Sequence, residues 1–225
     1  MKIGIIGAME QEIEQLFDKM EDTKTRTIAT RNFHEGKLFG KDIVLVQCGI
    51  GKVNAGIVTQ SMISEFGVDF VINTGIAGSL DNDLEIGDIV VSTDTAYHDM
   101  DVNEFGYPRG QVPGMGMTFF GASEKLLSLV PEREHIKQGS VLTGDQFINS
   151  REIKTGMQKD FPTAKCVEME GAAIGHACYL NQIPFLIVRS ISDKADDDAD
   201  KSFKLNMDLA VERSTEITEE IVRGI

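Results

Sequence analysis

The chain has 225 residues, of which 41% are hydrophobic and 26% charged, and its formal net charge is −14 at pH 7. This length and composition suit one large α/β domain with a substantial core, so we treat residues 1–225 as a single domain. The acidic excess argues against nucleic-acid binding, because no surplus of basic residues is available to neutralise phosphates. It disfavours docking to anionic membranes for the same reason.

Export signals and metal-ligand patterns are missing from the sequence. The apolar segment KIGIIGAM is too short for a signal peptide, and no apolar run approaches the roughly 20 residues that span a bilayer. Cys48, Cys166 and Cys178 are an odd number without CxxC spacing, which predicts neither a disulfide framework nor a zinc site and favours a cytoplasmic location. The HDMD segment at 98–101 has no second histidine at ligand spacing. We therefore expect no metal and no cofactor.

Short apolar runs alternate with segments of helical periodicity along the chain. The predicted strands are, in chain order, KIGIIGA, IVLVQCGIG, VDFVINTGIAG, GDIVVSTDTAYHD, SVLTGDQF, KCVEME and IPFLIVRSISD. The predicted helices are MEQEIEQLFDKM, VNAGIVTQSMISEF, GAAIGHACYL and LNMDLAVERSTEITEEIVRGI. This alternation predicts a mostly parallel sheet that helices cover on both faces. Residues 104–116, EFGYPRGQVPGMG, are predicted to form a structured loop, a kind of segment that is often functional.

Three familiar enzyme motifs are incomplete or missing. GIIGA lacks the third glycine of a dinucleotide-binding fingerprint. GIGKVNAG has Val53 after Lys52, where a Walker loop needs serine or threonine. No GxSxG nucleophile elbow is present. These absences disfavour an NAD enzyme, a P-loop NTPase and a serine hydrolase.

Acidic residues recur where predicted strands end. Glu12 follows the first strand, Glu168 and Glu170 end the KCVEME strand, and Arg189 and Asp193 end the last strand. Ligands of open α/β sheets bind at the carboxyl ends of the strands. Alternation along a strand places Glu168 and Glu170 on one face and Met169 on the other. Because buried carboxylates need partners, the sequence predicts a polar ligand at this edge of the sheet.

The motifs GAMEQE, GIGKVNA, NTGIAG, YHDMDVNEFGY, TGDQFI, VEMEGAA and RSISDKAD carry a family resemblance. In their order and spacing the chain resembles bacterial 5′-methylthioadenosine/S-adenosylhomocysteine nucleosidases over essentially its full length. The resemblance implies a single nucleoside phosphorylase-like α/β domain, whose mixed, mostly parallel central sheet is partly barrel-like and flanked by helices. It also implies a homodimer. The implied reaction is hydrolysis of the N-ribosidic bond of methylthioadenosine, adenosylhomocysteine and 5′-deoxyadenosine to adenine and a 5′-substituted ribose, in methionine salvage.

The reaction needs two carboxyl groups with opposite protonation, one acid for the base and one base for the water. By the resemblance, Asp193 is similar to the proton donor to adenine, and Ser192 orients its carboxyl. Glu12 resembles the general base, and Arg189 is placed to position the water and the ribose side. Glu170 is similar to the residue that binds the ribose hydroxyls through strong, charge-assisted hydrogen bonds.

The other implied contacts surround the substrate. They are Met169 against the sugar, Phe147 stacked on adenine, Ile148 at the adenine edge, Gly78 at a close backbone approach, and Met9, Ile50 and Phe203 around the 5′-thio group. Phe105 and Pro113 are expected to close that pocket from the partner subunit. One departure concerns Ile76, which stands where many family members have serine and lacks the hydroxyl that would hold water or sugar. Glu168 has no assigned role.

Three alternatives stay open. A nucleoside phosphorylase would need arginines near phosphate, where this chain has Glu10 or Glu12 and Asn73. A carboxylate 4 Å from a phosphate charge is repelled by about 4 kcal/mol at an effective dielectric near 20, which favours water as the nucleophile. A nucleosidase for a futalosine-type or AMP-type substrate is the second alternative. A non-catalytic adenosine sensor is the third, although it would not need both Glu12 and Asp193.

Overall fold

The computed structural model describes residues 1–225. The strands are β1 (Lys2–Gly7), β2 (Glu21–Ile28), β3 (Arg31–Leu38), β4 (Lys41–Gln47), β5 (Phe70–Ser79), β6 (Ile89–Tyr97), β7 (Phe120–Gly121), β8 (Ile136–Thr143), β9 (Ala164–Glu168) and β10 (Phe185–Asp193). The helices are α1 (Gln11–Asp18), α2 (Lys52–Phe66), α3 (Glu124–Leu127), α4 (Arg151–Asp160), α5 (Gly171–Asn181) and α6 (Ala199–Gly224). A single 3₁₀ turn, Asn103–Phe105, lies in the predicted loop.

The ten strands form one mixed sheet, part of which closes on itself. The strand order is β10-β6-β8-β9-β5-β1-β4-β3-β2, with β7 on the edge of β6. A further pairing between β5 and β10 closes β5, β10, β6, β8 and β9 into a barrel. The predicted single α/β domain with a mixed, partly barrel-like sheet is confirmed. Five of the ten strand pairs are antiparallel, a larger share than the alternation of strands and helices indicates.

Strand β2 and helix α4 were not predicted from the sequence, and helix α6 begins earlier than predicted. Strand β2 is exposed along its length and has no apolar alternation, although Thr23, Thr25 and Thr27 alternate with charged residues. It forms because it pairs with β3, which in turn pairs with β4. Helix α4 buries only Lys154 and Met157, too few apolar positions to predict it. Helix α6 begins at Ala199 rather than at the predicted Leu205.

The core has two layers, one on each face of the sheet. Within β4, Val44 and Val46 belong to a cluster of 26 buried residues, whereas Ile43 and Leu45 belong to another cluster of 18 on the opposite face. This period of two is the geometry of a strand buried on both sides. Helix α6 packs on β5 and β10, and α2 packs against α5. Each fully buried aliphatic side chain stabilises the fold by about 1.5–3 kcal/mol.

The cysteines do not cross-link the chain: Cys48, Cys166 and Cys178 are all buried and unpaired. No group of three or more His, Cys, Asp or Glu side chains is arranged to hold a metal ion. None of the helices combines the length and the hydropathy that crossing a bilayer requires.

The topology brings several strand ends to one place. Strand β5 runs parallel to β1 and β10, and its last residues pair with the last residues of β9, with Gly78 opposite Val167. The segments that follow β1, β4, β8, β9 and β10 therefore meet at the end of β5. These segments carry the predicted site residues.

Candidate active site

A cavity lies where these strand ends meet. It encloses about 650 Å³ of space free of protein atoms, open solvent at its mouth included, and ten of its 17 lining residues are hydrophobic. Four acids line it, Glu12, Glu168, Glu170 and Asp193, and none of them is more than 6% exposed. An apolar cleft with a few convergent polar groups is the usual form of a small-molecule site.

Glu12 is held by backbone groups from two directions. Its Oε2 accepts hydrogen bonds from the N–H groups of Ala8 (2.6 Å) and Met9 (3.0 Å), in the turn between β1 and α1. Its Oε1 accepts from the N–H of Ile76 in β5 (3.2 Å). Burial raises the pKa of Glu12, while Arg189 and these three N–H groups oppose the rise. The carboxyl group is thus fixed in place and is more basic than an ordinary glutamate.

Gly75 lets Glu12 and Arg189 approach each other. A Cβ atom on Gly75 would lie 2.5 Å from Oε1 of Glu12 and 2.5 Å from Nη1 of Arg189. Both polar atoms therefore lie against the β5 backbone at Gly75, where any side chain would collide with them. Nη1 and Nε of Arg189 are buried and have no hydrogen-bond partner in the protein. Because buried donors are nearly always paired, these atoms mark a place for a water or ligand oxygen.

Arg189 is 1% exposed and is surrounded by acids. Its Nη2 donates to Oδ1 of Asn73 (2.6 Å) and to Oε2 of Glu168, and Oε2 of Glu170 lies 3.7 Å away. Burial by itself would lower the pKa of Arg189, but Glu168, Glu12 and Glu170 raise it above its ordinary value. The guanidinium therefore stays charged and holds this cluster together.

Glu168 joins Arg189 to the start of α5. Its carboxylate accepts the N–H groups of Glu170 (3.0 Å) and Gly171 (2.9 and 2.8 Å), and it also accepts the hydroxyl of Thr143. A carboxylate at a helix N-terminus satisfies unpaired N–H groups and complements the helix dipole. Glu168 thus anchors the helix and the arginine, a role that the sequence left open.

Glu170 stands just after the strand. Because β9 ends at Glu168, the expected alternation does not continue, and Met169 lines the cavity together with both acids instead of taking the opposite face. Oε1 of Glu170 accepts the N–H of Gly51 (2.9 Å). Burial and the nearby Glu168 raise the pKa of Glu170 to about 8. A ligand that donates hydrogen bonds would stabilise its charged form.

Asp193 ends β10 in a different environment. Its Oδ2 accepts the hydroxyl of Ser192 (2.8 Å) and its Oδ1 accepts the N–H of Ala195 (2.9 Å). Gly78 leaves room for it, since a Cβ there would lie 2.8 Å from Oδ1. Burial raises the pKa of Asp193, and no cation forms an ion pair with it. This carboxyl group retains its proton to a higher pH than an ordinary aspartate.

Aromatic and aliphatic side chains form the rest of the wall. Phe147, 39% exposed, packs edge-on against Phe203 of α6 with ring centroids 5.8 Å apart. Ile76 is buried against α6 in a small apolar cluster, against which Met9 and Phe203 also pack. Ile76 has no hydroxyl to offer a ligand, but its N–H binds Glu12.

Comparison with known proteins accounts for this arrangement. Residues 2–223 match the model of the phosphorylase superfamily. The 5′-methylthioadenosine/S-adenosylhomocysteine nucleosidase of Actinobacillus succinogenes is 45% identical over 222 residues, which cover 96% of each chain. The chain belongs to this nucleosidase family within the phosphorylase superfamily.

Solved structures support the same placement. The nucleosidase of Neisseria meningitidis, in complex with methylthio-immucillin-A, superposes with a TM-score of 0.97 at 42% identity and covers 100% of this chain and 99% of its own. The futalosine hydrolase of Helicobacter pylori superposes with a TM-score of 0.95 at 35% identity and covers 100% of this chain and 98% of its own. The fold therefore supports more than one nucleoside substrate, and the site has to distinguish them.

Eleven of the fourteen residues predicted from the family resemblance line the cavity: Met9, Glu12, Ile50, Gly78, Phe147, Ile148, Met169, Glu170, Ser192, Asp193 and Phe203. Arg189 does not line the cavity, but it contacts Glu168 and Glu170, which do. Phe105, 79% exposed, and Pro113 lie on the segment that follows β6 and do not line the cavity of their own chain. Their expected contact with the partner's pocket stays a prediction.

Several residues of the site were not predicted. Ala8, Ala77, Gln146 and Val167 also line the cavity. Each lies inside or beside a motif of the nucleosidase family, in GAMEQE, NTGIAG, TGDQFI and VEMEGAA, so position in the motif was the available signal. Gly75 also lies in NTGIAG, but the motif does not reveal its role, which depends on how closely two distant side chains approach it.

Proposed function

We propose that the chain hydrolyses the N-ribosidic bond of 5′-methylthioadenosine and S-adenosylhomocysteine, releasing adenine and the 5′-substituted ribose. One observation carries the proposal: two buried carboxyl groups, Glu12 and Asp193, line one apolar cavity in contrasting environments. The names of the curated relatives support the substrate class, at 45% identity for the Actinobacillus enzyme.

Asp193 is the general acid of the proposed reaction. Adenine is a poor leaving group as an anion, and protonation of its imidazole ring removes that obstacle. The raised pKa of Asp193 keeps a proton available, and the hydrogen bonds from Ser192 and Ala195 aim its carboxyl group. General acid catalysis by a positioned carboxyl contributes about 10²–10⁴ in rate.

Glu12 and Arg189 bind the attacking water in this proposal. A water bound beside these two side chains accepts a hydrogen bond from the unpaired Nη1 of Arg189 and donates one to Oε1 of Glu12. Glu12 contacts β5 at Ile76, and Asp193 lies beside Gly78, two residues further along the strand. The proposed base and the proposed acid thus both lie beside β5.

Glu170 binds the ribose hydroxyls, and the apolar wall binds the rest of the substrate. Hydrogen bonds from the sugar favour the ionised form of Glu170, which burial and Glu168 disfavour in the empty site. Met169 packs against the sugar and Phe147 against adenine. Ile50 and Phe203, which also line the cavity, receive the 5′-thio group.

Water, rather than phosphate, is the nucleophile that the charges favour. Arg189 is the cation at this end of the cavity, and Glu168, Glu12 and Glu170 already compensate its charge. A phosphate dianion there would face carboxylates without a free cation. At 4 Å and an effective dielectric near 20, each such contact is unfavourable by about 4 kcal/mol.

We further propose that the enzyme is a homodimer that acts in methionine salvage in the cytoplasm. Helices α2 and α5, which pack together, leave Val53, Ile57, Tyr179 and Leu180 between 44% and 73% exposed. Phe105, more exposed still, belongs to the segment expected to reach the partner's pocket. Unpaired, buried cysteines fit a reducing compartment.

The test is adenine release by the purified chain from methylthioadenosine in phosphate-free buffer. We expect turnover without phosphate and free methylthioribose as the second product. Adenine that appears only when phosphate is supplied, together with a ribose 1-phosphate product, would overturn the proposal in favour of a phosphorylase. Binding of methylthioadenosine without any turnover would indicate a sensor.

Substrate choice is tested on the same enzyme with adenosylhomocysteine, 5′-deoxyadenosine and futalosine. We expect kcat/KM for methylthioadenosine to exceed that for futalosine by at least about tenfold, a discrimination of about 1.4 kcal/mol. The reverse order would assign the chain to the futalosine hydrolases instead.

A further inference from the structure

Helix α4 is tied to the turn that follows Asp193. Lys154, buried on this otherwise exposed helix, donates a hydrogen bond from Nζ to the backbone oxygen of Lys194 (2.8 Å). The N–H of Arg151, in the first turn of the helix, donates to Oδ1 of Asp197 (3.3 Å). Two contacts thus join α4 to the segment between β10 and α6.

The turn contains a residue in an unfavourable conformation. Ala195 has a φ of +49°, in the left-handed region that residues with a Cβ seldom adopt. Its N–H donates to Oδ1 of Asp193, and its Cβ lies 3.1 Å from the point where a Cβ on Gly78 would stand. Such conformations persist only where neighbouring contacts hold them, and they concentrate at functional sites. Lys154 provides such a contact, at the residue immediately before Ala195.

The charges near Lys154, and that of Lys154 itself, also affect the carboxyl group of Asp193. The charges of Asp196, Asp193, Asp81 and Lys194 act on its ammonium group without an ion pair, and the side chain of Lys194 itself binds Glu85 (3.1 Å). Burial lowers the pKa of Lys154, and the three acids oppose this. In return, the ammonium charge lowers the pKa of Asp193 whereas Asp196 raises it. Lys154 therefore affects both the position and the proton affinity of Asp193.

We propose that Lys154 is a positioning residue for Asp193: by binding the backbone oxygen of Lys194, it holds Ala195 in the conformation that directs its N–H to Oδ1 of Asp193. This inference rests on the proposed role of Asp193 as the general acid. Because α4 begins directly after the segment that carries Phe147 and Ile148, the same helix connects the proposed adenine wall to the acid.

The test compares Lys154→Met with Lys159→Met, an exposed lysine of the same helix, and with Lys154→Arg, which keeps the charge and a donor. A misplacement of about 1 Å costs a reaction on the order of 100-fold, so we expect kcat for methylthioadenosine to fall about 10- to 100-fold in Lys154→Met. KM should change by less than about threefold, because the contact acts on the transition state. Lys154→Arg should recover most of the loss, and Lys159→Met should match the wild type.

The pH profile separates positioning from a merely structural role. In Lys154→Met the alkaline limb of kcat/KM should move to higher pH, because the charge that lowers the pKa of Asp193 is gone. Thermal unfolding of each variant measures the folded fraction. A Lys154→Met variant with the rate and alkaline limb of Lys159→Met would overturn the inference, as would a loss that only follows the unfolded fraction. Near-normal turnover in Asp193→Asn would instead contradict the proposed acid.

Discussion

The two ends of the cavity present the same kind of group in different surroundings. Glu12 and Asp193 are 3% and 2% exposed, and burial raises the pKa of both. Glu12 faces the guanidinium of Arg189 and accepts three backbone N–H groups, whereas Asp193 has one hydroxyl, one N–H and no ion-pair partner. Equal burial with unequal neighbours is how one site holds both a base and an acid.

The largest effect is expected at Asp193, the acid without an ion-pair partner. Asp193→Asn keeps the shape of the side chain but has no acidic proton, so kcat for methylthioadenosine should fall about 10³–10⁴-fold, at the upper end of general acid catalysis. Adenine release under single-turnover conditions measures the chemical step directly. Binding of adenine, measured by calorimetry, should change by less than about tenfold. Turnover within about tenfold of the wild type would remove Asp193 from this role.

At the other end, Glu12→Gln removes the base. An amide keeps only one acceptor oxygen, so the N–H groups of Ala8 and Met9 compete with that of Ile76 for it. We expect kcat to fall about 10²–10³-fold. In the wild type, kcat/KM should decrease as the pH falls through the pKa of Glu12, which lies above the ordinary glutamate value of 4.5. If that acidic limb persists unchanged in Glu12→Gln, another group is the base.

Removing Arg189, the cation beside Glu12, should make the surroundings of Glu12 and Asp193 more alike. Arg189→Met leaves Glu168 and its neighbours buried without a counter-ion, which should lower the free energy of unfolding by about 3–5 kcal/mol at pH 7. Burial raises the pKa values of Glu12 and Glu170 while Arg189 lowers them, so without Arg189 they should lie further above their unfolded values. The deficit should therefore grow as the pH rises and shrink as it falls. Urea unfolding at several pH values measures this loss in the free energy of unfolding.

The control for this change is the surface pair of Arg133 and Glu220, whose side chains are 37% and 32% exposed. Arg133→Met should alter the free energy of unfolding by less than about 1 kcal/mol. The double variant Arg189→Met with Glu168→Gln should regain part of the lost stability, because it removes one of the unpaired charges. A deficit in Arg189→Met that does not depend on pH would contradict this account.

The smallest effect is expected from Ser192→Ala. The variant loses the hydroxyl bound to Oδ2 of Asp193 but keeps the N–H of Ala195 at Oδ1. The Ser192 hydroxyl lowers the pKa of Asp193, so its removal should shift the alkaline limb of kcat/KM to higher pH. We expect kcat to fall by about tenfold or less, which corresponds to the roughly 0.5–1.5 kcal/mol of one ordinary hydrogen bond. An unshifted limb would show that Ser192 does not act through Asp193.

Much of the fold and site followed from the sequence because the responsible patterns are local. Buried apolar runs predicted the strands β1, β4, β5 and β10, and motif order placed Glu12, Glu170 and Asp193 at strand ends. Side chains at the ends of adjacent strands are neighbours whatever the details of packing. Family motifs then implied a role for each side chain, and most of those residues line one cavity.

Tertiary structure decided what depends on distant partners. Strand β2 depends on its pairing with β3, since its own residues are exposed and form no buried apolar face. The role of Glu168 comes from Arg189, Thr143 and the start of α5, which are far apart in the sequence. The need for glycine at position 75 comes from Glu12 and Arg189, whose side chains both lie against its backbone. The sequence by itself determined which acids reach the cavity. Burial and the nearest cation, which only the folded chain provides, decided which of them keeps its proton.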